Sequence, residues 1–166
     1  MKRFRNFIRI LILSLGLCFV LIPEEVRAED TSVINAQLLS SMNALRSSVG
    51  VAPLSLDSSL GQVAAIRAQE ASTTWSHTRP NGTQGISLLP SNKWRGENLA
   101  YVQYASFGFS QSEQAAAAAL MFANLKASPT HYNNMVFGNF KKVGICTYVL
   151  HTSGGYRLTT AFMFTN

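Results

Sequence analysis

The chain has 166 residues, 47% of them hydrophobic and only 13% charged, with a formal net charge of +6. That length suffices for one domain with its own core. Five of the fourteen basic residues and two of the eight acidic ones lie before residue 29, so the remainder carries nine cations against six anions, or +3. No basic run interleaved with aromatics is left there, which excludes the usual footprint of nucleic-acid binding.

The first residues, MKRFRNFIRILILSLGLCFVLIPEEVRAED, place Lys2, Arg3, Arg5 and Arg9 before an apolar run from Ile10 to Leu21. The run is too short for a membrane span of about 20 apolar residues, and Val26-Arg27-Ala28 offers small residues where signal peptidase cleaves. Residues 1–28 therefore read as a secretory signal cleaved after about Ala28, leaving 29–166 as a single exported domain with no stable membrane span. Cys18 follows Leu17, where a lipoprotein signal needs a small residue. Cys146 is then the one cysteine of the mature chain, so an internal disulfide is excluded and packing must supply the stability.

Thr31 is placed to cap a first helix with the stripe Ile34, Leu38, Met42 and Leu45, ended by Gly50. Asp57 is an N-cap for a second helix lined by Leu60, Val63, Ala64 and Ala68. Ser110-Gln111-Ser112-Glu113 is a capping box that opens a third, with Ala118, Met121, Phe122 and Leu125 as its apolar face. Between the second and third helices the chain reads as irregular, RGENLAYVQY included. Val143, Ile145, Thr147 and Val149 alternate with Lys142, Gly144, Cys146 and Tyr148. After HTSGG the alternation resumes through Tyr156, Leu158, Thr160, Phe162 and Phe164, so these runs form an antiparallel hairpin. Helices preceding strands point to an α+β layered arrangement.

Most charged side chains have a local task. Asp57 and Glu113 cap helices, and Glu70 follows Arg67 by three as a surface pair. Glu97, in Gly96-Glu97-Asn98, is the carboxylate without one. Of three histidines, His151 begins the hairpin turn and should be exposed. His77 stands in WSHTRPNG, where Pro80 and Asn81-Gly82 make a tight turn. His131 follows Ser128 and Pro129, a cap and first residue of a short helix. The positive end of that helix should keep its ring neutral. His77, Glu97 and His131 thus form a candidate His₂Glu set, although their spacing matches no metal-ligand pattern such as HExxH.

In order along the chain, MNALRSSVGVAPLSLDSSLGQVAAIRAQE, SHTRPNG, GENLA, SPTHYNNM and FKKVGI resemble the CAP superfamily (cysteine-rich secretory proteins, antigen 5 and pathogenesis-related proteins), in particular its compact bacterial SCP-like members. The resemblance runs from about Ile34 to Phe164. It implies a three-layer α-β-α sandwich of the CAP type with a small antiparallel sheet. It also implies a cleft of two histidines and two glutamates, which carries over to His77, Glu97 and His131. The second glutamate, three residues after a tryptophan in the family's third helix, is replaced: Leu125 and Ser128 stand at those positions.

The resemblance implies a secreted protein, expected as a monomer, whose His77 and His131 hold Zn or another divalent metal beside a small-molecule, lipid or protein ligand. Since family members have no common activity, a metal-assisted hydrolase of peptides or envelope polymers, with Glu97 as base, stands as the alternative. Cys146 lies within a strand pattern, which suits a buried structural thiol better than a nucleophile. Trp75, Trp94, Tyr101, Tyr104 and Phe107 supply aromatics that either fill the core or rim the cleft.

Overall fold

A computed structural model describes residues 29–166. The export signal expected over residues 1–28 lies outside them. Helix α1 (Ser32–Ser48) is followed by a short strand β1 (Ser55–Leu56) and helix α2 (Ser58–Thr73). A single 3-10 turn (Gly85–Leu88) precedes strand β2 (Arg95–Tyr104). Helices α3 (Gln111–Ala127) and α4 (Pro129–Val136) then lead into the hairpin of β3 (Lys142–Thr152) and β4 (Gly155–Thr165).

The sheet order is β1-β3-β4-β2. Two corrections to the sequence reading follow. RGENLAYVQY is not irregular: it is a ten-residue strand, antiparallel to β4 with Arg95 opposite Thr165 and Tyr104 opposite Tyr156. Its sequence hides this because Gly96, Glu97 and Asn98 are poor strand formers, and pairing with the apolar β4 overrides their propensity. The sheet is also not wholly antiparallel, since β1 pairs parallel with β3 through two residues.

Three layers result, an α-β-α sandwich as the resemblance implied. Helices α1 and α3 pack on one face through Ile34, Leu38, Met42, Met121 and Leu125, against Val143, Leu158, Phe162 and Phe164 of the sheet. Helix α2 covers the other face, where Leu60, Ala64, Ala68 and Ala71 meet Leu99, Ala161 and Met163. Both faces of β4 are therefore buried from Leu158 to Thr165.

The capping boundaries largely follow the sequence. Asp57 accepts from the amides of Ser59 and Leu60, and Ser110 with Glu113 forms the complete capping box. Gly50, with φ 74°, turns the chain out of α1. Thr31 differs: it occupies the N-cap position without capping, and its hydroxyl donates 3.1 Å to the Thr147 carbonyl on the outer edge of β3. Ser128 likewise sits at the N-cap of α4 without a side-chain cap bond. What anchors α4 is Arg46, fully buried, whose guanidinium donates to the carbonyls of Ala52, Met135, Phe137 and Phe140.

Candidate functional site

A third correction concerns Arg67 and Glu70. They are not a routine surface pair, because Arg67 is fully buried on the sheet-facing side of α2. Its Nε donates to Glu97 Oε2 at 2.7 Å, its Nη2 to the Ser76 carbonyl at 2.8 Å, and its Nη1 to Glu70. Glu70 in turn accepts from Arg79 at 2.8 Å. Burial by itself would lower the Arg67 pKa, but the hydrogen bonds and charges of Glu97 and Glu70 outweigh it and raise the value. Burial would raise Glu70, and Arg79 and Arg67 together hold it below the ordinary carboxylate range.

This chain of charges reaches His77 through Glu97. The Glu97 carboxylate, buried at the start of β2, lies 2.6 Å from His77 Nδ1. A carboxylate bonded to Arg67 is ionised and can only accept, so Nδ1 carries the proton and Nε2 faces away from Glu97. The turn after α2 completes the placement. Arg79 and Gly82 close it with backbone bonds to Thr83 and Arg79, Gly82 takes φ 82°, and the Gly85 amide donates to the His77 carbonyl at 2.8 Å. A Cβ at Gly85 would overlap the Glu97 carboxylate and Arg67 Nε, so that position must be glycine.

His131 arrives from the opposite layer, in the first turn of α4. Asn98 donates to the His131 carbonyl at 3.0 Å, while Asn134 donates to the Asn98 side chain at 2.9 Å and to the Glu97 carbonyl at 3.2 Å. These two asparagines clamp α4 to the edge of β2. The His131 pKa is lowered, as the sequence suggested, but chiefly by burial and secondarily by the nearby His77.

The two imidazoles therefore face one another, with ring centroids 6.4 Å apart and planes tilted by 48°. Trp75, Ser76 and Leu99 join them around a hollow of about 390 Å³. His77 also borders a second cavity, of about 260 Å³, lined by Gln84, Arg95 and Asn134. Tyr101, Asn124 and Ser128 line a further 200 Å³ or so. The sequence-chosen residues His77, Glu97, Ser128 and His131 all border this groove. Yet among the described residues no group of three or more His, Cys, Asp or Glu side chains is arranged to hold a metal ion.

Arg67, Asn98 and Asn134 were missed as site residues. Arg67 left a partial signal, because positions 60, 64, 67 and 71 fall on one helical face and the other three are apolar, but its spacing to Glu70 suits a surface pair equally well. The asparagines carried no such signal. Of the aromatics, Phe107 is buried and Tyr104 packs on the core, whereas Trp75, Tyr101 and Trp94 are 46, 40 and 55% exposed. Cys146 is half-buried in β3, and burial pushes its thiol pKa up, away from nucleophile chemistry.

The sequence matches the family model described as CAP, the cysteine-rich secretory protein family, over residues 39–165. The chain belongs to the CAP family. Among solved CAP-type structures, an outer surface protein of Borrelia burgdorferi has 21% identity and a TM-score of 0.60, covering 84% of this chain and 97% of that one. A cysteine-rich secretory protein of Staphylococcus aureus has 15% identity and a TM-score of 0.57 over 84% of this chain and 40% of its own. NaASP2 with Zn²⁺ has 17% identity and a TM-score of 0.56 over 85% and 82% of the two chains. At these identities the likeness is one of fold. No curated protein matches the sequence. Some neighbours of this CAP domain are extracellular or outer-surface proteins. Among its described residues no helix is long and apolar enough to cross a membrane.

Proposed function

We propose that this CAP domain is a secreted binding module in which His77 and His131 present imidazole nitrogens to one divalent cation, Zn²⁺ in the first instance, within a groove that takes a second ligand. The observation that carries the reading is the 2.6 Å bond from Glu97 to His77 Nδ1, which leaves Nε2 for a ligand on the side away from Glu97. Burial favours neutral, metal-competent His131. A tetrahedral site with Zn–N bonds of about 2 Å brings two ring centroids to roughly 5 Å. The rings must therefore close from 6.4 Å, and the His77 side chain, 54% exposed, has room to do so. Two imidazoles leave the remaining positions to water or to ligand atoms. Ser128, where the resemblance calls for a second glutamate, adds only a hydroxyl, so the affinity should be modest.

The hydrolase reading draws less support. Both Glu97 oxygens are engaged, one by Arg67 and one by His77, and a carboxylate so paired is a poor base. It acts instead as a positioning residue for His77.

Calorimetric titration of the purified protein with zinc chloride at neutral pH tests the proposal. Wild type should bind one ion, and His77→Ala or His131→Ala should each weaken binding at least about tenfold. Protonation of the imidazoles should compete with zinc, so affinity should fall as the pH is lowered, and the depressed His131 pKa moves that ring's share of the competition to lower pH. Equal zinc affinity in both variants and wild type would remove the assignment.

A further inference from the structure

The same groove exposes a set of backbone groups that no part of the domain uses. Thr165 gives its carbonyl to the Lys141 amide at 2.8 Å, so its backbone groups point toward β3 and away from its β2 neighbour Arg95. In an antiparallel strand the direction alternates by residue. Residues 95, 97, 99, 101 and 103 of β2 therefore direct their amides and carbonyls outward, off the edge of the sheet. Asn134 confirms the phase, since it reaches the Glu97 carbonyl from α4, outside the sheet.

Beyond Glu97 the clamp ends. No described group outside the sheet bonds to the backbone of Leu99, Tyr101 or Gln103. Leu99 is only 3% exposed, so its amide and carbonyl are buried polar groups at the wall of a cavity. The opposite edge of the sheet is covered over its first half, where Ser55 and Asp57 amides meet the Lys141 and Val143 carbonyls and the Thr31 hydroxyl meets that of Thr147, while Val149 and His151 beyond them are bonded by no described group outside the sheet. Only the open stretch of β2 borders the groove. The cavity beside it is lined by Trp75 from one face of the sheet and by Asn124 and Ser128 from the other, so it lies in line with the strand edge.

We infer that the groove binds an extended peptide, which adds to the free edge of β2 as a fifth strand and bonds the outward backbone groups of Leu99, Tyr101 and Gln103. The occupant is a polypeptide because its own amides and carbonyls repeat at the spacing these groups require. Three outward residues span about 13 Å, the length of some five peptide residues. One end of the peptide reaches the imidazole hollow, and the other passes the exposed Trp75–Tyr101 pair, whose rings meet edge-on at 4.7 Å. The inference rests on the binding-groove reading above but not on its cation.

The test selects binders from phage-displayed random decapeptides on the purified protein in EDTA, so a failure of the zinc site leaves it intact. The best synthetic decapeptide should slow hydrogen exchange of the Leu99, Tyr101 and Gln103 amides by about tenfold or more at saturation. N-methylation of alternate peptide residues should weaken binding about tenfold at one parity and much less at the other. Asn124→Trp, which fills the cavity beside the strand edge from α3, should abolish peptide binding. Four results would each overturn the inference: no enriched peptide, protection that appears elsewhere, indifference to N-methylation, or retention of glycans on an array in place of peptides.

Discussion

Arg67 shows how one buried cation organises this site. It lies among the alanines of α2, where a lysine or leucine would be unremarkable, yet its planar fork reaches Glu97, Glu70 and the Ser76 carbonyl together. Glu97 is 6% exposed, and without Arg67 its charge would be buried without its guanidinium partner. Removing one member of a buried pair typically costs about 3–5 kcal/mol, because the survivor is left uncompensated. Arg67→Met should accordingly lose stability on that scale in urea unfolding, and Arg67→Met with Glu97→Gln should recover part of it. A single-variant loss below about 1 kcal/mol would mean that Glu97 finds another partner or water, and that His77 is oriented by something else. Elimination of the locally explained polar groups, together with the family resemblance, picked out His77, Glu97 and His131 but not this support, since Arg67 three residues before Glu70 reads equally well as a surface pair.

Between elements, the tightest fit is α2 against β3. Ala64, Ala68 and Ala71 bring the helix close, and at Gly144 the Leu60 backbone lies where a Cβ would stand. Backbone cannot give way as a flexible side chain can. Gly144→Ala should therefore cost about 1–3 kcal/mol through overpacking, whereas Gly138→Ala, which meets nothing within 4 Å, should stay within about 0.5 kcal/mol. Paired thermal melts of the two variants check this. The helices and the hairpin were legible because their apolar periods and caps are local properties. Strand β2 was not, because Gly96, Glu97 and Asn98 answer to α4, Arg67 and a neighbouring strand some sixty residues later.

At the scale of the molecule, one free cysteine lies among the described residues and no disulfide is available to them. Two cores, one on each face of a four-stranded sheet, carry the stability instead. The melting temperature of the purified protein should therefore be the same with and without dithiothreitol. A fall of several degrees on reduction would reveal a cross-link through Cys146 and contradict the packing account.

The sequence by itself determined the helix boundaries, the hairpin, the family and four residues that border the groove, because each depends on neighbours within a few positions or on an ordered set of short motifs. Only the tertiary structure decided that Arg67 is buried, that Asn98 and Asn134 fasten α4 to β2, and that the strand edge from Leu99 onward is left open beside two facing imidazoles. Those outcomes depend on which distant backbone and side-chain groups meet, and burial, which turns a surface charge into a structural one, is a property of the folded chain alone.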